Sequence, residues 1–196
     1  MDARRAAPAD LPAVAATLAG AFAEDPAWSW VFVDRAVREA QLTAVWSLLL
    51  AGAVQYGWVW TTPGVEAATL WIPPGMPELP EPFAARIGPL FDELLGPDRA
   101  RVDALMERFL TAHPAAPDHY YLSLFGTRPD ARGAGTGMTL LADNLARIDT
   151  EHEPAYLEST NHANLDRYRS VGFVDRGAFT LPDDGPTVTT MWREAR

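Results

Sequence analysis

The chain has 196 residues, a formal net charge of −10 and no cysteine. That length suits about one domain with decorations and buries a core without disulfides, while thiolate metal sites, disulfide frameworks and a cysteine nucleophile are excluded. All sixteen basic side chains are arginines, and the acidic balance argues against a general nucleic-acid binder while suiting a cationic small substrate.

In chain order, residues 2–7 read as a short first strand. Leu11 to about Ala23 follows as an amphipathic helix, with Asp10 as its N-cap and Val14, Leu18 and Phe22 on one stripe. This run follows Arg4 and Arg5 like a signal peptide, but Pro8, Asp10 and Pro12 break it, so a cytoplasmic location is expected. Residues 24-EDPAWSWVF-32 read as an aromatic loop, and Arg35 to Tyr56 as a second helix. The stretch 42–60 approaches membrane-span length. Thr43, Ser47, Gly52, Gln55 and Gly57 punctuate it, so a buried helix and a strand at 58–62 fit better than a membrane contact. That strand and 65–72 form a hairpin over Pro63 and Gly64. The proline-rich stretch 73–82 is a connector or lid. Helices follow at about 83–95 and 98–112, then a buried strand at 119–126. A helix runs from after Gly133 to about Asp149, then come a strand at 155–160, a helix at 162–170 and a hairpin of 173–181 with 187–194. The fold class is mixed α/β.

The segment 128-RPDARGAGTGMTLL-141 places three glycines where a strand gives way to a helix. Glycines let successive N–H groups converge on one point, and a helix N-terminus adds positive potential, so a phosphate group suits the turn. A triphosphate loop needs a lysine, which this chain lacks. A dinucleotide turn stays open as an alternative, since Glu158 lies at a suitable distance. Against it, Met138 occupies the third glycine position and 127-TRPDAR-132 intervenes after the strand. Two readings remain beside it: a pyrophosphate such as that of coenzyme A, on the pattern Arg132-x-x-Gly135-x-Gly137, or an ordinary helix N-terminus with a permissive loop.

These residues resemble the GCN5-related N-acetyltransferases (GNATs). The signature Q/R-x-x-G-x-G/A matches Arg132, Gly135 and Gly137. Pro129 fits the V-x-P segment, with Thr127 replacing the valine. Downstream, 161-NHANLDRYRSVGF-173 is similar to N-x-x-A-x-x-x-Y-x-x-x-G-F at Asn161, Tyr168, Gly172 and Phe173, with Asn164 in the alanine place. The similarity covers about 118–193. More loosely, 20-GAFAEDP-26, 59-VWTTPG-64 and the Trp71 strand look like the puromycin N-acetyltransferase branch.

The resemblance implies one domain over 1–196, with an N-terminal part at 1–117 and an acetyl-CoA-binding core at 118–196. It implies a strongly twisted mixed sheet of about six or seven strands flanked by helices, splayed between the strands at 119–126 and 155–160. Acetyl-CoA is the implied co-substrate, and the acetyl group passes directly to a primary amine of a small molecule or a peptide. Tyr168 would protonate the departing thiolate, because a phenol near pKa 10 lies above a thiol of about 8.5. A backbone N–H at Leu124 or Phe125 would polarise the carbonyl. Gly126 and Thr127 would pair with the pantetheine amides, and Arg132, Gly133, Ala134, Gly135, Thr136 and Gly137 would hold the pyrophosphate. Asn161 and Asn164 would support the pantetheine arm.

Glu158 is the candidate base, with His119 and Glu24 behind it. Glu24, Trp28 and Trp30 would shape the acceptor pocket, with Asp25 adding negative charge. The four histidines lack metal-ligand spacing, so no metal is expected. A homodimer is a further implication. A catalytically idle CoA or acyl-CoA sensor and a nicotinamide-dependent oxidoreductase are the rival functions.

Overall fold

The computed structural model describes residues 3–196; residue 2 of the expected first strand lies outside them. Seven strands form one sheet: β1 (Arg4–Arg5), β2 (Val59–Thr61), β3 (Ala67–Ile72), β4 (Tyr120–Thr127), β5 (Ala155–Ser159), β6 (Val174–Thr180) and β7 (Thr187–Arg193). Their order is β1-β2-β3-β4-β5-β7-β6. Only β4 and β5 run parallel; the other neighbours are antiparallel.

Helices α1 (Leu11–Phe22), α2 (Pro26–Val31), α3 (Arg38–Ala53), α4 (Ala84–Leu95) and α5 (Arg99–Ala112) precede β4. Helices α6 (Thr136–Glu151) and α7 (Leu165–Ser170) follow it. One core joins α1, α2, α3, α4 and α5 to the sheet through Leu18, Trp28, Trp46, Leu70, Phe91 and Leu105. A second joins α6 through Trp60, Trp71, Leu141, Leu145, Ile148 and Phe173. Strand β3 lies between the two layers, and all six of its residues are buried. This explains why its sequence is an apolar run interrupted only by Thr69, whose hydroxyl bonds Asn144, rather than an alternation.

The apolar run at 42–60 is a buried helix that ends in a turn of 3-10 helix, with Gly57 left-handed at φ 71°. No helix among the described residues is long and apolar enough to cross a membrane.

Three local expectations are corrected. Residues 24–32 contain α2 rather than only a loop. Asp25 caps it by accepting from Ala27 N (3.0 Å) and Trp28 N (3.2 Å), and Pro26 occupies the first turn, where its missing N–H costs nothing. The second helix begins at Arg38, not Arg35. Buried Arg38 spends its guanidinium on the carbonyls of Ala23, Phe32 and Val33, fixing the α1–α2–α3 joints. Asp10 does not cap α1 with its side chain. Its carboxylate instead accepts from Ala7 N at 2.8 Å and pairs with Arg4 at 2.6 Å, which ties the first strand to the helix start.

Candidate active site

The parallel strands β4 and β5 pair only at Tyr120–Ala155 and Tyr121–Tyr156. Strand β4 then continues to Thr127 and β5 to Ser159 without pairing each other. The sheet therefore splays, leaving a length of β4 with an open edge. A bulge marks the same place: Leu70 pairs with Leu124 but Trp71 pairs with Leu122, so Ser123 is the extra residue. Bulges bend a strand and re-aim its groups.

Register decides which donors face the opening. Arg128 N–H bonds to Glu66 on the β3 side at 2.8 Å. Alternation then turns the N–H groups of Gly126 and Leu124 toward β3 and those of Thr127 and Phe125 toward the splay. Of the two carbonyl-polarising candidates, Phe125 has the available donor, while the N–H of Leu124 belongs to the sheet.

Two cavities meet at the splay. An outer cleft of about 480 Å³ runs along the glycine turn. An inner cavity of about 640 Å³ lies between β4, β5, α3, α4 and α5 and the 73–79 connector. Phe22, Asp25, Phe125, Asn164 and Tyr168 line both.

In the cleft, Gly135 sits left-handed at φ 75° and is the N-cap of α6, a conformation that glycine adopts without steric cost. Gly137 lets α6 approach β4. A Cβ there would lie 2.2 Å from Thr127 Oγ1 and 3.3 Å from the Phe125 ring. The N–H groups of Gly133 to Met138 have no acceptor among the described residues, as the first turn of a helix requires. Arg132 N–H instead reaches Pro129 O at 3.4 Å, and its guanidinium bonds Thr127 O (3.3 Å) and Ala21 O (3.0 Å). Gly133, Gly135, Thr136 and Gly137 line the cleft with Gly126, Thr127 and Asn161; Ala134 does not. Asn161 Oδ1 caps the turn into α7 by accepting from Ala163 N at 3.0 Å. Asn164 Oδ1 accepts from Arg167 at 2.9 Å.

Tyr168 stands where the two cavities join, edge-on to Phe125 and Phe173 at 6.3 and 6.1 Å between ring centres. Its hydroxyl makes no hydrogen bond among the described residues. Burial raises its phenol pKa above the ordinary value, and the nearby Asp25 charge adds to that shift.

Asp25 was legible as a local acid, but not as a bridge. Its second oxygen accepts from Thr160 Oγ1 at 2.8 Å, linking the α1–α2 corner to the end of β5. Burial pushes its carboxyl up to about 6, against the hydrogen bonds from Thr160, Trp28 and Ala27. With the unfolded value near 3.8, the folded state binds the proton more tightly. The stabilising contribution is full below that value and disappears as pH rises through 6, about 3 kcal/mol in all. Asp25→Asn keeps the capping oxygen. It should flatten the fall in Tm between pH 4 and 6 relative to the wild type, read by thermal melts across that range.

The inner cavity gathers polar groups that lie far apart in sequence: Glu78, His113, His119, Tyr121, Ser123 and Glu158. The Glu158 side chain is only 2% exposed, and its Oε1 has no hydrogen-bond partner. Glu78 accepts from Ser123, and burial raises its carboxyl above the usual range, with the Glu158 charge contributing. Burial lowers the His119 pKa. Trp28 lines this cavity. Trp30 lies outside both cavities, under the Arg101 guanidinium at 5.4 Å. Glu24 borders the outer cleft and pairs with Arg35 at 3.0 Å.

No protein-family model matches the chain. Among solved structures, it is similar to the histone acetyltransferase HPA2 and related acetyltransferase from Corynebacterium glutamicum ATCC 13032. That match has 26% identity and a TM-score of 0.69, covering 99% of this chain and 96% of the other. The fold is that of a GNAT-type acetyltransferase. Two further acetyltransferase structures agree in fold. Drosophila melanogaster polyamine N-acetyltransferase has 14% identity and a TM-score of 0.66, over 98% and 99% of the two chains. Arylalkylamine N-acetyltransferase 2 from Aedes aegypti has 10% identity and a TM-score of 0.66, over 100% and 99%. The GNAT-type sheet, the splay and the glycine turn accord with the resemblance carried by residues 118–193.

Proposed function

We propose that the chain is an acetyl-CoA-dependent N-acetyltransferase that acts directly on a primary amine with a largely apolar body. The observation that carries this reading is the meeting of the two cavities at Phe125 and Tyr168. One cavity offers free backbone donors; the other offers carboxylates and aromatic walls.

The residues of the outer cleft fit coenzyme A. The unpaired N–H groups from Gly133 to Met138, beside the open space at Gly133 and Gly135, suit a pyrophosphate. Thr127 N–H on the open edge of β4 suits an amide of the pantetheine arm. When bound, acetyl-CoA supplies an acetyl thioester and a thiol leaving group. Phe125 N–H is the donor available to a carbonyl oxygen there. Tyr168 holds a proton on its phenol oxygen for the sulfur. Glu158 accepts a proton from the incoming ammonium.

The acceptor's character follows from the inner lining. Arg99 is held by Asp92 at 2.6 Å and Asp103 at 2.8 Å, so its charge is offset. Glu78, Glu158 and Asp25 then favour a cation. Trp46, Phe91, Met106 and Phe109 favour an apolar body over a second charged end. Within the superfamily, the segments at 20–26 and 59–64 and the Trp71 strand support a place near the puromycin N-acetyltransferase branch.

The test combines binding and turnover. A hundredfold excess of CoA over its Kd should raise Tm by about 5–10 °C, and a panel of apolar primary amines should release thiol from acetyl-CoA. Stabilisation without thiol release across the panel would support the idle sensor. Stabilisation by a nicotinamide dinucleotide and not by CoA would replace this reading altogether.

A further inference from the structure

Acetylating an ammonium releases two protons from nitrogen. One reaches the departing thiolate, and the other must leave the protein in every turnover. Glu158 is too enclosed to hand its proton directly to water, since its side chain is 2% exposed. The route out can be read from an imidazole pair.

His119 Nδ1 lies 2.9 Å from Pro117 O. A carbonyl only accepts, so Nδ1 carries the hydrogen. Burial keeps the His119 ring neutral, so its Nε2 is a bare acceptor. That nitrogen lies 3.1 Å from His113 Nε2, which must therefore donate. Neutral His113 is thus fixed as the Nε2–H tautomer, with a lone pair on Nδ1. His113 Nδ1 lies 3.7 Å from Glu158 Oε1, and the His113 side chain is 35% exposed.

We propose that His113 is the proton exit for Glu158, held by His119 in the tautomer that can receive. The acceptor N–H bond breaks as Glu158 Oε1–H forms. The Glu158 O–H bond then breaks as His113 Nδ1–H forms. The imidazolium then loses the same Nδ1 proton to a water molecule reaching the 35% exposed side chain, which leaves Nε2–H in place as in the resting tautomer.

The other groups around the ring do not compete. Tyr121 and Tyr156 stand edge-on to His113 at 4.8 and 5.0 Å. Burial, reinforced by the Glu158 charge, pushes both phenols well above their ordinary value, so they stay protonated. On His119, the Glu158 and Asp118 charges act against the effect of burial without reversing it.

This inference rests on the acetyltransferase reading for its purpose but not for its geometry, so two measurements separate the two. Long-range nitrogen–proton NMR of the labelled full chain, without amine or CoA, should show neutral His119 protonated on Nδ1 and neutral His113 on Nε2. His113 protonated on Nδ1 instead would overturn the proposal, whatever the activity. In the acetyl-transfer assay, His113→Ala should lower kcat about tenfold to a hundredfold, with the amine KM within about twofold. Added imidazole should restore part of the rate. An unchanged kcat, or a loss that imidazole leaves untouched, would also overturn it. If the variant does not fold, the wild-type tautomers decide. A wild-type chain that transfers no acetyl group counts against the proposed function, and the NMR result still decides the hydrogen-bond chain.

Discussion

Tyr168→Phe should lower kcat by about a hundredfold or more while leaving the Kd for CoA within about twofold. Tyr168 lines both cavities, and its phenol oxygen bonds no other group among the described residues. Its removal leaves no buried partner unsatisfied, so Tm should stay close to wild type. The ring keeps its edge contacts with Phe125 and Phe173, so the wall of the cleft persists. Because burial raises this pKa, the phenol stays protonated throughout the neutral range. An alkaline fall in wild-type rate below about pH 9 would therefore belong to another group. Thiol release measured beside CoA calorimetry separates these effects. Equal turnover in the variant would remove Tyr168 from the acid role.

Most of the element order was legible because each segment announces its own period or punctuation. The run 67–72 is apolar except for Thr69 because β3 is covered on both faces. The glycine turn was legible because left-handed backbone at Gly133 and Gly135 and close packing at Gly137 each demand the residue lacking a Cβ. Helix α2 was missed despite its Asp-Pro start. It has six residues, too short for a 3.6-residue period to show. The inner cavity was largely hidden. Glu78, His113, His119 and Glu158 come from a connector, a helix end, a strand approach and a strand, and no sequence spacing joins them. His119 and Glu158 could be named only singly, as acids or bases near the splay. Trp30 was expected in the pocket because its neighbour Trp28 is there. Two residues are roughly half a helical turn, which points Trp30 to the opposite side, under Arg101. The Ser123 bulge, which helps choose between Leu124 and Phe125, left no residue signature at all.

Glu158→Gln should lower kcat/KM at pH 7 by about a hundredfold to a thousandfold, and the loss should shrink as pH rises. The reason lies in the substrate. An alkylamine is almost wholly protonated at neutral pH, with a pKa near 10. Its reactive neutral fraction grows tenfold for each pH unit below that value. Wild type, with a carboxylate to take the proton inside the cavity, should pass through a plateau. The glutamine variant must bind the rare neutral amine, so log kcat/KM should climb with a slope of about one. Stability should not suffer. The carboxylate is buried, with Oε1 unpartnered and His113 Nδ1 no nearer than 3.7 Å. Replacing such a charge with a neutral isostere removes a desolvation cost, so Tm should hold or rise. Rate profiles between pH 6 and 9 with one amine decide the matter. Parallel profiles for the two proteins would mean that the amine loses its proton elsewhere, and the base would have to be sought at Glu78 or in solvent.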